Sequence, residues 1–147
     1  MRYLGLDLGS RTLGIAISDK TGLIAHTYKT IRHNEEYAHL VNAVKDIVKE
    51  EEIDAVVLGF PKNMNNTIGP KAELSIKFKE DLEKKINIPI YLQDERMTTS
   101  IAQNILIEGN VRRKDRKKVV DQVAATIILQ DYLDRKEKWI WIKIHLQ

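Results

Sequence analysis

The chain reads as an α/β domain built on a mixed five-stranded sheet flanked by helices. Leu4 to Leu8, Leu13 to Ser18 and Ile24 to Ile31 are short apolar runs separated only by the turn-rich stretches Gly9-Ser-Arg-Thr12 and Asp19-Lys-Thr-Gly22, which predicts an antiparallel meander. Beyond residue 34 the pattern changes to strands alternating with helices, the signature of parallel strands added to the same sheet. At 147 residues and 43% hydrophobic content the chain has the size and apolar content of one domain, expected to span 1–147.

The elements follow from local pattern. From Glu36 to Glu50, the residues Tyr37, Leu40, Val41, Val44, Ile47 and Val48 keep helical spacing, with Asn34 as the expected N-cap and Glu35 and Glu36 in the first turn. Ala55-Val-Val-Leu-Gly59 is continuously apolar and ends at Gly59 and Pro61, as a strand buried on both faces would. Gly69-Pro70 opens a helix in which Leu74, Phe78 and Leu82 recur every fourth residue, and Ile88 to Leu92 is the fifth strand. Ser100 and Gln103 form a capping box for a helix ended by Gly109-Asn110, and a last helix is expected from about Val119 to Arg135. The alternating tail Lys138-Trp-Ile-Trp-Ile-Lys-Ile144 suggests an added edge strand or a self-association surface.

Composition narrows the chemistry. There is no cysteine, and the histidines His26, His33, His39 and His145 lack ligand spacing, so a metal would have to be held by oxygen. No run approaches the length of a membrane span, and Met1-Arg2 leads directly into a strand, so a soluble, cytoplasmic protein is expected. Net charge is only +3, yet Arg112-Arg-Lys-Asp-Arg-Lys-Lys118 carries six positive charges against one negative. Such runs are usually solvated loops, but this one stands directly before an acidic residue, where polyanion attraction would serve phosphodiester chemistry.

Acidic residues fall where strands end or helices begin: Asp7 in Tyr3-Leu-Gly-Leu-Asp-Leu-Gly9, Asp94-Glu95 after the fifth strand, and Asp121 at the head of the last helix. Carboxylates drawn together from distant segments repel unless a cation joins them, and hard oxygen donors suit Mg²⁺ or Mn²⁺. Each has an ordinary alternative: Asp7 as a turn residue, Asp121 as a partner of the helix dipole. Ala124-Ala125 would let the last helix press on the sheet and bring Asp121 toward Asp7. Either Asp94 or Glu95 suits as ligand, because successive side chains of an extended chain point opposite ways.

Four ordered motifs, Asp7-Leu-Gly-Ser-Arg-Thr-Leu-Gly-Ile-Ala16, Leu58-Gly-Phe-Pro-Lys-Asn-Met64, Asp94-Glu-Arg-Met-Thr-Thr99 and Val120-Asp-Gln-Val-Ala-Ala125, resemble the YqgF family, also called RuvX, over nearly the whole chain. The resemblance implies a ribonuclease H-like fold related to the RuvC resolvases and a metal-dependent acidic site. It also implies a role in maturing the 5′ end of pre-16S ribosomal RNA. By motif, Asp7, Glu95 and Asp121 match the catalytic and metal-binding positions, with Asp94 beside them. Arg11-Thr12 stands where a Lys-Arg pair is common, and Asn66 where Gly is usual.

The expectation is therefore a nuclease using Mg²⁺ or Mn²⁺ on structured nucleic acid, pre-ribosomal RNA before a branched DNA junction, with the ribosome as a possible further partner. Arg11, Asn63, Asn65, Arg96, Arg112, Arg113, Lys114, Lys117 and Lys118 are the expected nucleic-acid contacts. The chain retains no apolar helical stripe after its core is assigned, which favours a monomer. A Holliday junction resolvase, a non-catalytic ribosome-associated module and an ATP-binding fold of the actin and Hsp70 kind are the alternatives. The last is disfavoured by length, since such proteins clasp nucleotide between two domains.

Overall fold

A computed structural model describes residues 1–61, 65, 67–95 and 113–145, with side chains in the final segment described from residue 123 onward. The elements are β1 (Tyr3–Leu8), β2 (Thr12–Ser18), β3 (Ala25–Arg32), α1 (Tyr37–Glu50), β4 (Ala55–Phe60), α2 (Pro70–Glu83), β5 (Ile90–Asp94) and a long helix, α3 (Arg113–His145). They form a five-stranded sheet of order β3-β2-β1-β4-β5. The meander is antiparallel, whereas β4 runs parallel to β1 and β5 parallel to β4. The C-terminal ends of β1, β4 and β5 thus share one edge of the sheet, where α/β folds commonly build their sites.

Strand alternation divides the core. Leu4, Leu6, Leu8, Val56 and Leu58 point toward α1 and α2, where Leu40, Val44, Ile47, Phe78 and Leu82 complete one buried cluster. Tyr3, Ala55 and Val57 point to the other face, against Ala125, Ile128, Leu129 and Leu133 of α3. The second layer is built of small residues, so α3 lies close on the sheet. A Cβ on Gly5 would stand 2.7 Å from Leu129 Cβ and 3.1 Å from the Ala125 carbonyl oxygen. Gln130 bridges α3 to the meander, accepting the Ala25 N–H at 2.9 Å and donating to the Leu23 carbonyl at 2.9 Å.

Several sequence expectations need correction. Residues 113–118 begin α3 rather than forming a loop, and Asp121 lies two turns inside that helix rather than at its head. The reason is legible in retrospect: no Gly or Pro occurs after Gly109, and Arg and Lys are good helix formers. The same continuity carries the tail to His145 as helix instead of an edge strand, overriding the β preference of its Ile and Trp residues. Trp139 and Trp141 remain exposed there. Asn34 does not cap α1; Glu36 occupies the N-cap without a side-chain bond, and Glu35 sits at φ 63°. β5 starts two residues later than expected because Pro89 has no N–H for the ladder, offering only its carbonyl to the Val56 N–H at 2.9 Å. The helix expected after Ser100 lies outside the described residues.

The close contact of α3 with β1 generates a stability prediction. Gly5→Ala must displace Leu129 or the Ala125 backbone and should destabilise the fold by about 1 to 3 kcal/mol. Urea unfolding with an unchanged midpoint would show that the helix adjusts without cost.

Candidate metal centre

Odd-numbered residues of β1 face α3, so the alternation that buries Tyr3 and Gly5 also turns Asp7 to that side, one residue before the strand ends. On the neighbouring parallel strand Gly59 faces the same way as Ala55 and Val57. Glu95 follows β5 directly, its backbone N–H donating to the Phe60 carbonyl at 3.3 Å. A side chain on Gly59 would occupy the place of the Glu95 carboxyl: a Cβ there would lie 2.6 Å from Glu95 Oε2 and 2.9 Å from Ile128 Cδ1. Glycine at 59 leaves room for Glu95 to reach across the end of β4 and hydrogen-bond Asp7.

Two carboxyl groups in contact under a helix cannot both be ionised cheaply. Burial pushes the Glu95 carboxyl up to about 9, reinforced by the charge of Asp7 and by the hydrogen bond to it. The Lys71 ammonium pulls in the opposite direction, and Asp94 pushes up further. Without a cation Glu95 therefore holds a proton and donates it to the Asp7 carboxylate. Asp94, paired with Phe60 at the end of β5, is exposed, and its charge acts on the Glu95 carboxyl. Of the adjacent acids, Glu95 is the one brought to Asp7.

The other expected site residues are distributed as follows. Asp121 lies in α3 one turn before Ala125, and its side chain is outside the described residues, as are those of Arg113, Lys114, Lys117 and Lys118. Asn63, Arg96 and Arg112 also lie outside. Arg11 is exposed in the β1–β2 turn. Asn65 is exposed, but its Oδ1 accepts the Thr67 N–H at 3.2 Å and the Thr67 hydroxyl at 2.6 Å, committing that oxygen to its own loop. Among the described residues no group of three carboxylate, histidine or cysteine side chains converges. Sequence reasoning missed Gly59, read as a strand terminator, and Lys71, which carries no motif of its own.

Comparison with solved structures defines the class. The fold matches that of Thermus thermophilus RuvC with a TM-score of 0.56 at 14% identity, covering 94% of this chain and 97% of that one. RuvC from the same organism in complex with a Holliday junction substrate matches equally, at a TM-score of 0.56 and 13% identity over 93% of this chain and 96% of that chain. The architecture is thus ribonuclease H-like. The family described as "RuvX: Holliday junction resolvase" matches residues 1–135, and the chain belongs to that family. Relatives named "Putative pre-16S rRNA nuclease" include one from Geobacillus sp. (strain WCH70), 48% identical over 93% of this chain and 100% of that protein. Another, from Bacillus subtilis (strain 168), is 50% identical over 91% of this chain and 98% of that protein.

The shared proton sets a pH dependence for the metal-free protein. Below 4.5 the Glu95 carboxyl is protonated whether the chain is folded or not, while from there to about 9 only the unfolded chain releases the proton. Stability should therefore decline across that interval as pH rises. Glu95→Gln, measured by urea unfolding in EDTA, should flatten the decline and be at least as stable as the parent protein at pH 8. A parallel decline in both proteins would assign it to other groups.

Proposed function

We propose that this protein is a single-domain, metal-dependent nuclease that hydrolyses phosphodiester bonds in structured RNA and processes the 5′ end of pre-16S ribosomal RNA. The observation that carries the reading is the half-buried contact between Asp7 and Glu95, which a proton or a cation makes tolerable. It is supported by relatives of about half identity that bear the name of a pre-16S rRNA nuclease.

The donor chemistry fits Mg²⁺ or Mn²⁺. Both groups are carboxyl oxygens, and the chain has no cysteine to favour a softer metal. Asp7 and Glu95 would hold the metal, with Asp121 as a third ligand and Asp94 modulating the charge beside them. Asp121 is supported by the register of α3: Tyr132 packs at a tilt against Tyr3 with ring centroids 5.8 Å apart, Ala125 and Leu129 cover Gly5, and the helix continues in that sense toward the Asp7 end of β1. When bound, the metal supplies Lewis-acid polarisation of the phosphate and a water of lowered pKa. The protein's part is to hold its carboxyls in place, for which the absence of a side chain at Gly59 leaves room.

Lys71, Arg11, Arg96 and Arg112, with the basic start of α3 (Arg113, Lys114, Lys117 and Lys118), would offset the acid charge and attract backbone phosphates. Asn63 and Asn65 would add polar contacts from the loop after β4. The protein acts in the cytoplasm as a monomer, on the ribosomal precursor. A second reading, a Holliday junction resolvase, is favoured by the description of the family and by the RuvC fold. It would call for a twofold dimer presenting paired sites.

Asp7→Asn should abolish Mn²⁺-supported cleavage while retaining fold and binding, since removing one charge relieves the repulsion as it removes the ligand. Parallel assays on a pre-16S leader RNA and a four-way DNA junction, with light scattering, test the substrate. Full activity in Asp7→Asn would refute the site. A stable dimer that nicks the junction in pairs and spares the RNA would replace the first reading with the second.

A further inference from the structure

Across the sheet end from Glu95, Arg11 and Arg32 line an open cavity of about 370 Å³ together with His33 and Asn34. Thr12 and Arg32 are partners in the β2–β3 ladder, so both arginines arise from one end of the meander. Both are exposed, and among the described residues neither side chain makes an ion pair or hydrogen bond. Among the described residues, neither Glu35 nor Glu36, the next charges along the chain, forms an ion pair with them.

The backbone that carries these arginines is fixed by a buried histidine. His33 is 6% exposed; its Nε2 lies 2.9 Å from the Gly9 carbonyl, and its backbone N–H donates to the Arg11 carbonyl at 2.9 Å. The Glu35 N–H donates to Nδ1 at 3.0 Å, which leaves Nδ1 the acceptor and Nε2–H the donor. Glu35 holds the left-handed φ of 63° in doing so, a conformation that costs a non-glycine residue about 1 kcal/mol or more. One ring thus ties the turn after Asp7 to the end of β3.

We propose that Arg11 and Arg32, positioned by His33, form a phosphate-binding site that grips the nucleic-acid backbone beside the scissile bond. The inference rests on the nuclease reading above and extends it to Arg32, Asn34 and His33. β3 and β1 are two strand spacings apart, roughly 10 Å, so the site takes a flanking phosphate rather than the reacting one. The chemistry is that of guanidinium forks on phosphate oxygens. Such a grip is needed next to paired carboxyls, which by themselves repel a polyanion. Asn34 adds an amide donor at the rim. His33 is a positioning residue: it touches the turn, not the substrate.

The test is binding of a pre-16S leader RNA in EDTA, followed by anisotropy across a salt series. Arg32→Gln should lower the slope of log affinity against log salt by about 0.7 to 0.9. In Mn²⁺ it should raise KM with little change in kcat, since the contact is made equally in ground and transition states. His33→Ala should reproduce the slope of Arg11→Gln, and combining the two should add little, whereas His33→Gln, which keeps an N–H donor, should recover part of the loss. If His33→Ala does not fold, Arg32→Gln decides, because that side chain is exposed. An unchanged slope in Arg32→Gln, in a protein that still cleaves RNA, overturns this site and leaves the nuclease reading intact. Absence of RNA binding and cleavage in the unsubstituted protein overturns both.

Discussion

Two carboxyl groups pressed together beneath a helix are the constraint around which the rest of this molecule is arranged. A sheet edge formed for stability alone would carry apolar or hydrogen-bonded neutral groups at positions 7 and 95. Instead Glu95 stands against Asp7 with its carboxyl pushed up to about 9 by burial and by the Asp7 charge. Local cost concentrated where elements from distant parts of the sequence meet supports the proposal of a site kept for chemistry rather than for folding. The fold tolerates it because both faces of the sheet are otherwise well buried, with β4 covered along its whole length.

The geometry of that contact depends on missing side chains as much as on present ones. Gly5 admits the backbone of α3 to β1, and Gly59 admits the Glu95 carboxyl over β4. Ala55, Ala124 and Ala125 thin the same layer. The opposite face, packed with Leu, Ile, Val and Phe, shows no such thinning. The difference brings α3 close to the sheet on the side that Asp7 faces, as the proposed sharing of one metal by α3 and the strand ends would need.

How much of this was legible in the sequence depended on whether a signal was local. The meander, α1, α2 and the buried β4 follow from apolar periodicity and turn residues, which act over a few positions. Asp7 was visible as an acid at a strand end. That Glu95 rather than Asp94 meets it was indicated by the motif resemblance alone and not by the local pattern, because the choice depends on how β5 is registered against β4, a long-range fact. Gly59 was seen and misread: a glycine near a strand end suggests a turn, and nothing local reveals a carboxyl arriving from another strand. The helical reach of α3 was hidden by habit of pattern. A charged run suggests a loop and an alternating tail suggests a strand, yet the absence of Gly and Pro after residue 109 was the stronger signal. His33 gave no signal, since a lone histidine in sequence does not reveal that both ring nitrogens will be claimed by backbone groups.

Charge across the sheet end completes the argument. The acids lie at the ends of the central β1 and the edge strand β5, while Arg11 and Arg32 lie beyond β1 toward the opposite edge, at β3. A polyanion approaching the acids alone would be repelled, and one approaching the arginines alone would bind without reaction. On the proposed reading, two opposite charges on one sheet edge would make binding and chemistry separable: the arginines would hold a neighbouring phosphate while the carboxyls hold a metal ion. The buried His33 ring holds that spacing without adding an exposed charge: it binds the Gly9 carbonyl in the turn that begins two residues after Asp7 and accepts the N–H of Glu35, whose backbone takes a left-handed φ there.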